Sequence, residues 1–404
     1  MFNKPFDEIT KADIDRLVTD GIPEGRTLDY KAELPKSSDG EKKEFARDVT
    51  SFANAAGGYI VYGVTEQKDA AGKNTGVAGA ADGLLGVNAD TEILRMESML
   101  RGNIDPIVPG LRFKKIEGFT NGPVILLHIP KSWAAPHMVA VDNDSRFYSR
   151  GSAGKQSMDV REIRSAFVLS AEMPALIRRF RDERLGRIMA DETPMALMGR
   201  ARVVLHMIPF SSMGIDTGGI DLAAIDADAP APLRTGSGWN NRYNFDGWLS
   251  FSGPDRGAQR SYLQVFRSGA LETVMAYTHG PSSGVTLFYN PWGIEEDVLD
   301  ALRRYVQLYK KHQVEPPVVI ALSLLNFRNA TIPPNPESPG DDVYSVDRDM
   351  LLLPDVLVRD YGDALHTLMR PAFDALWQAA GVPKSFSYDE NGKWGKNGYK
   401  RMRF

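Results

Sequence analysis

The chain of 404 residues contains no cysteine. Disulfides, thiolate metal sites and cysteine nucleophiles are therefore excluded, and a reducing cytoplasm is the simplest home for it. It also lacks any run of about 18 apolar residues that could span a bilayer. Its start, MFNKPFDEIT, has none of the apolar core of a signal peptide. No membrane partner is expected. Histidines number only six and stand without ligand spacing, so a histidine metal site is not expected, and His128 reads as a core residue. A charge excess is missing too: 48 basic against 52 acidic residues leave a net charge of −4. That balance argues against a protein that coats nucleic acid nonspecifically, but it allows a local basic groove. Gly72-Lys73-Asn74 and Gly154-Lys155-Gln156 lack Walker spacing and a following Ser or Thr, so no phosphate loop supports ATP binding.

What is present is ordinary for a globular protein, with 43% hydrophobic and 25% charged residues, so neither disorder nor a coiled coil is implied. The length allows about two or three domains. The densest information lies between Glu24 and Glu66. EGRTLDYKAEL (24–34) reads as a strand in which Thr27, Asp29 and Lys31 point one way and Leu28, Tyr30 and Ala32 the other. An acid and a base thus share a face. In EFARDVTSFANAAGG (44–58), Phe45, Val49, Phe52 and Ala53 recur at helical spacing, and Gly57-Gly58 stop the helix. Tyr59 to Val64, uncharged and rich in β-branched and aromatic residues, suits a buried strand, with Glu66 just past its end. Glu24 stands five residues before Asp29, so the two acids converge only if Glu24 lies on a bend before the strand begins.

The pattern L-D-Y-K followed by F-A-N-A-A-G-G-Y-I-V-Y-G-V resembles the Schlafen AlbA_2 domain family, in which an (E/D)-(F/Y)-K strand precedes a helix ending A-N-x-x-G-G and a strand ending G-V. Ile104-Asp105-Pro106, Val124 to Pro130 with Ser132 and Pro136, Phe147-Tyr148-Ser149-Arg150-Gly151-Ser152, and Glu162-Ile163 follow in that family's order. The resemblance implies an α+β fold: a mixed β-sheet nuclease-type domain flanked by helices over residues 1–170. Past residue 171 nothing comparable is visible, and the residue pattern alone predicts a connecting helix at 171–199 and a second α/β-type domain at 200–404. The resemblance also implies three catalytic carboxylates, which carried over position by position are Glu24, Asp29 and Glu66, with Asp69 as the alternative third. Acids converging on one spot repel unless a cation neutralises them or their pKa values rise, and hard oxygen ligands select Mg²⁺ or Mn²⁺. Lys31 is then a group that stabilises the phosphorane or pairs with Asp29.

On this resemblance the expected activity is a metal-dependent endoribonuclease acting on structured RNA, tRNA above all, as an antiphage or toxin-like effector. Relatives hold RNA between two similar lobes; this chain shows one, so a homodimer is expected. The alternative is a noncatalytic nucleic-acid- or nucleotide-binding regulator of the same fold. Arg146, Arg150 and Lys155 are candidates for backbone contacts with nucleic acid. So are Lys393, Lys396, Lys400 and Arg401, interleaved in the tail with Trp394, Tyr399 and Phe404, a mixture suited to single strands. Elsewhere, helices are expected at 6–20, from Asp90 or Thr91 to 100, at 159–169, 173–191 with Pro174 in the first turn, 294–311 and 357–380. Strands are expected at 111–116, 124–129, 138–141, 146–149, 201–208, 247–251, 260–266, 270–277 and 318–325. Residues 67–86 read as a loop or loose hairpin, and 226–238 and 332–342 as exposed loops.

Overall fold

The structure, a computed structural model, describes the chain except for residues 1, 3, 142–143, 152–153, 215–218, 236–237, 254–256, 278–286, 333–343 and 396–404. Two units divide it, residues 1–173 and 174–404. Each is α+β in make-up. The first unit runs α1 (Lys11–Thr19), β1 (Leu28–Lys31), α2 (Asp39–Ala53), β2 (Gly58–Tyr62), β3 (Val64–Lys68), β4 (Asn74–Ala81) and α3 (Ala89–Asn103). Then come β5 (Ile104–Asp105), β6 (Arg112–Ile116), β7 (Val124–Ile129), β8 (Met138–Val141), β9 (Asp144–Gly151) and β10 (Gly154–Ser157). The division falls inside the next helix, α4 (Val160–Met189).

One sheet of the first unit has the order β1-β2-β7-β6, with β1 and β2 parallel and the other pairs antiparallel. A parallel pair needs a crossover, which α2 provides. Side-chain alternation divides the sheet between two apolar layers. Ile60, Tyr62, Ile125 and Leu127 pack with Phe45, Val49 and Phe52 of α2, whereas Leu28, Tyr30, Val61 and Leu126 pack with Ile9, Ile14 and Leu17. Asp29 and Lys31, alternating with Leu28 and Tyr30, consequently leave β1 on the side of α2. A second sheet, β10-β9-β8-β5, is lashed to the end of α2 by Asn54. Its amide nitrogen donates to the carbonyls of His137 and Tyr148 at 2.9 Å each, and its Oδ1 accepts from the His137 amide at 2.7 Å.

Gly57 and Gly58 close the turn from α2 into β2. At Gly58 φ is +154°, and a Cβ would lie 2.5 Å from the Thr27 carbonyl oxygen. That carbonyl also accepts the Tyr59 amide at 2.9 Å, so the close approach is what starts the β1–β2 pairing.

The second unit contains β11 (Ala201–Pro209), α5 (Leu222–Asp228), β12 (Asn240–Tyr243), β13 (Gly247–Phe251), β14 (Ser261–Phe266) and β15 (Leu271–Tyr277). It ends with α6 (Pro291–Lys311), β16 (Val318–Leu325), β17 (Met350–Leu352), β18 (Val356–Val358) and α7 (Leu365–Gln378). Its sheet has the order β12-β13-β14-β15-β11-β16-β17, with β18 also paired to β16. Every residue of β11, β15 and β16 is buried. Within this apolar interior Glu272 keeps its charge because Arg184 donates two hydrogen bonds to it, at 2.8 and 2.9 Å, and Tyr262 a third at 2.8 Å. Burial alone would raise its pKa; Arg184 and His206, whose Nε2 lies 3.1 Å from Glu272 Oε2, pull it down to about 2.

Several expectations are corrected. The two helices read at 159–169 and 173–191 are one, α4, with Pro174 inside it rather than in a first turn. A proline removes one helical rung, but Met173 and Ile177, one turn apart, are both buried and carry the helix through. The helix expected from 357 begins at Leu365, because Val356, Leu357 and Val358 pair with β16. Asn88, not Asp90 or Thr91, caps α3, accepting from the Thr91 amide. Of the two readings of residues 67–86 the hairpin holds, since they contain most of the β3–β4 pair, whereas α5 and β12 fall where no element was expected. Most of the loop read at 332–342 lies outside the described residues.

The close approach at Gly58 yields the first testable consequence. Gly58→Ala is expected to destabilise the first unit by roughly 2–4 kcal/mol, combining a backbone conformation costly for alanine with a backbone clash. Hydrogen exchange in mild denaturant reads it: the Tyr59 amide should lose protection first, and unchanged protection there would contradict the assigned role.

Candidate nucleic-acid site on the first unit

The site grows from the edge of the β1-β2-β7-β6 sheet. Arg26 and Thr27 form a tight turn, with the Gly25 amide donating to the Leu28 carbonyl at 3.0 Å, so Glu24 does lie on a bend before the strand. Its Oε1 accepts the Tyr30 amide at 2.6 Å, satisfying a donor on the strand's open edge. Glu66 sits in β3, inside the hairpin rather than in a loop past the strand. The two glutamates meet across Gly76: the Glu24 amide donates to the Gly76 carbonyl at 2.6 Å, and the Gly76 amide donates to Glu66 Oε2 at 2.8 Å. Gly76 has φ +75°, and even a Cβ there would approach Glu24 to 3.9 Å. Asn74 donates to the other oxygen of Glu66 at 2.9 Å.

Asp29 is only 4% exposed. Its Oδ1 accepts from the Arg150 guanidinium at 2.6 Å, and its Oδ2 lies 2.6 Å from Lys31 Nζ without a well-directed hydrogen bond. Arg150 also donates to the Gly25 carbonyl at 2.9 Å and stacks 4.4 Å over the Phe52 ring. Expected from the sequence to grip a nucleic-acid backbone, Arg150 is instead buried as the counter-ion of Asp29. Lys31 faces a further acid, Asp48 of α2, at 3.8 Å, and Asp48 in turn accepts from Lys155 at 2.7 Å. Lys155 also pairs with Glu44. Asp48 escaped notice in the sequence, but a signal is there: it lies three residues after Phe45 and four before Phe52, an acid on the apolar stripe of its helix.

Electrostatics separates the acids. Burial, reinforced by the charges of Asp29 and Glu66, pushes the Glu24 carboxyl up to about 7, although the Tyr30 amide works against it. Burial acts on Asp29 too, but Lys31 and Arg150 outweigh it and hold its carboxyl below the usual range. Asp48 is raised by burial, its two lysines only partly compensating. Lys31 is held in its charged form, as Asp48 and Asp29 outweigh its desolvation. Glu24 is thus a proton-exchanging group near neutrality, and Asp29 a fixed anion.

These donors do not make a ready cage for Mg²⁺ or Mn²⁺. Asp29 is committed to two cations, and among the described residues no group of three or more histidines and acids is placed to hold a metal ion. Asp69, the alternative third acid, holds the hairpin tip through the amides of Ala71 and Lys73 at 2.8 and 2.9 Å. Arg146 is exposed on β9, and Lys393 is exposed on the second unit. The indole of Trp394, expected to be available for stacking, donates to Glu295 at 3.1 Å. Lys396, Lys400 and Arg401 lie outside the described residues.

Residues 24–159 match the family model described as Schlafen, AlbA_2, and this segment belongs to that family. Among solved structures, the chain resembles the DIP2311 protein of Corynebacterium diphtheriae at 15% identity and a TM-score of 0.24, over 37% of this chain and 26% of that one. It also resembles the N-terminal domain of a RecG-related protein of Nitrosomonas europaea at 16% identity and a TM-score of 0.25, over 37% of this chain and 89% of that domain. The chain therefore spans about a quarter of the Corynebacterium protein. No curated protein matches it. No helix among the described residues is long and apolar enough to cross a membrane.

The raised pKa of Glu24 carries a sign. An acid whose folded pKa lies above its unfolded value of 4.5 favours folding while protonated, so its contribution is fully present below about 4.5 and is lost as pH rises through about 7. Glu24→Gln keeps an acceptor for the Tyr30 amide and removes the charge. From about pH 5 to about pH 8 the wild type should lose on the order of 2 kcal/mol relative to this variant, after allowance for partial solvent screening. Denaturation curves for the two proteins that stay parallel across that range would refute the shift.

Proposed function

We propose that the Schlafen AlbA_2 domain of this chain is an endoribonuclease, cutting structured RNA of the tRNA kind at the cluster of Glu24, Asp29, Lys31 and Glu66. The observation that supports this reading best is the Glu24 carboxyl, titrating at about 7 beside the charged Lys31. A group that exchanges protons at neutral pH is what general acid–base chemistry on a phosphodiester requires. In its ionised form Glu24 takes the proton of a ribose 2′-hydroxyl as that oxygen attacks the neighbouring phosphorus. Lys31 offsets the charge that builds on the phosphoryl oxygens. The bond to the 5′-oxygen breaks, that oxygen receives the proton from Glu24, and the products are a 2′,3′-cyclic phosphate and a 5′-hydroxyl. Asp29 keeps Lys31 in place and charged. Because the nucleophile belongs to the ribose, DNA is not a substrate.

Mg²⁺ or Mn²⁺ is the cofactor that family resemblance implies, and a divalent cation bound near these acids would supply charge neutralisation; the acids as arranged do not require it. Arg146 and Lys155 are the proposed backbone contacts of this unit, Lys393 that of the second. A homodimer is proposed to supply two arms around the RNA, and a cytoplasmic, defence- or toxin-like role follows from the same family. The second reading, a noncatalytic nucleic-acid-binding regulator, draws on the pairing of Asp29 with two cations, which leaves it inert as a ligand.

Purified protein incubated with total tRNA and with single-stranded DNA, in Mg²⁺, Mn²⁺ or EDTA, decides between them. The expected result is cutting of tRNA that persists in EDTA, rises with pH through about 7, leaves cyclic phosphate ends and is lost in Glu24→Gln; sedimentation under the same conditions should show a dimer. Binding without cutting in every metal would hand the assignment to the regulator.

A further inference from the structure

One carboxylate in the cluster has no part in the chemistry above. Asp48 is 5% exposed, yet it touches two lysines from different elements: Lys155 of β10 at 2.7 Å on Oδ1, and Lys31 of β1 at 3.8 Å on Oδ2. The lysine side chains themselves reach solvent, Lys31 at 38% and Lys155 at 19% exposure. A buried carboxylate therefore lies between two lysines that reach solvent. Their outer partners differ in kind. Lys31 shares the buried Asp29, whereas Lys155 shares Glu44, whose side chain is 55% exposed and able to turn aside when another anion arrives. Glu44 also faces Arg47 at 3.6 Å, so it has a second cation to turn toward when a phosphate takes its place on Lys155.

We propose that Asp48 is a positioning residue that holds Lys31 and Lys155 as a two-point grip on a nucleic-acid backbone, Lys31 at the reacting phosphate and Lys155 at a neighbouring one. The class of ligand rests on the endoribonuclease reading; the grip itself rests on the shared carboxylate. An ordinary buried ion pair would need one lysine and would leave its ammonium group withdrawn from solvent. The helix places Asp48 for this purpose, because its position on the apolar stripe of α2 brings it under both β1 and β10 without access to solvent.

The experiment pairs binding with turnover. A 2′-O-methyl RNA oligonucleotide offers phosphates but no attacking hydroxyl, so its affinity can be followed against salt without cleavage. Lys155→Met should lower the slope of log K against log salt by about 0.7, the value for one contact to a single strand, and raise KM for tRNA severalfold with a smaller change in kcat. Asp48→Asn should lower the slope at least as much and reduce kcat as well, because Lys31 also loses one of its two carboxylate partners; Asp48→Glu should restore part of both. An unchanged slope in Lys155→Met, or an Asp48→Asn protein equal to wild type in slope and kcat, overturns the grip, as does failure of the wild type to bind the oligonucleotide. If Asp48→Asn does not fold, Lys155→Met alone decides. Slopes that change as expected in a protein that never cuts RNA sink the nuclease reading and leave the grip standing; cutting with unchanged slopes does the reverse.

Discussion

A carboxylate buried at the edge of a sheet governs the first unit. Removing an ionised Asp29 from water costs several kcal/mol unless partners replace the lost hydration, and here they are Arg150 on one oxygen and Lys31 on the other. The consequences spread outward from that requirement. Arg150 must reach across from β9, and in doing so it fixes the Gly25 turn through a carbonyl and the end of α2 through the Phe52 ring. Lys31 must stay charged, which Asp48 helps to secure, and Asp48 in turn recruits Lys155 from β10. Four elements from distant parts of the chain are joined by one alternating series of charges.

That series also explains why neighbouring acids differ in character. Asp29 is surrounded by cations and stays ionised; Glu24, a short distance along the same edge, meets chiefly burial and two other carboxylates. Environments that push similar groups apart in pKa are how one site comes to hold both a permanent charge and a mobile proton. The β3–β4 hairpin contributes by delivering Glu66 to Gly76, where the two glutamates face each other across a residue that has no side chain to separate them.

How much of this the sequence carried depends on distance along the chain. Glu24, Asp29 and Lys31 lie within one turn and one strand, and alternation plus a spacing of five was enough to require the bend that the structure contains. The α2–Gly57–Gly58–β2 run was legible for the same reason, since periodicity and glycine act locally. Arg150 was visible as a residue but not as a buried partner, because nothing local tells an exposed strand arginine from one facing a carboxylate more than a hundred residues away. Asp48 was hidden by the opposite effect: a periodicity search counts the apolar members of a stripe and passes over the one acid within it. At Pro174 a strong local rule lost to burial on both sides, and at Val356 to Val358 helical spacing lost to strand pairing that only the far-off β16 provides.

The bonds around the two principal acids bear differently on function. For Asp29 the structural explanation is complete: the buried Arg150 guanidinium beside it needs an anion, and a neutral side chain would leave it uncompensated. Its charge therefore says nothing by itself about catalysis. For Glu24 the structural explanation falls short. The Tyr30 amide needs an acceptor, but a glutamine carbonyl would serve as well. It would also avoid the burial of a charge and the repulsion from Asp29 and Glu66, which together lift the carboxyl to about 7. What glutamate adds at this position is the ability to gain and lose a proton near neutrality, at some expense in stability. That property has no use in holding the edge of a sheet, and it is the one that acid–base chemistry on an RNA backbone needs.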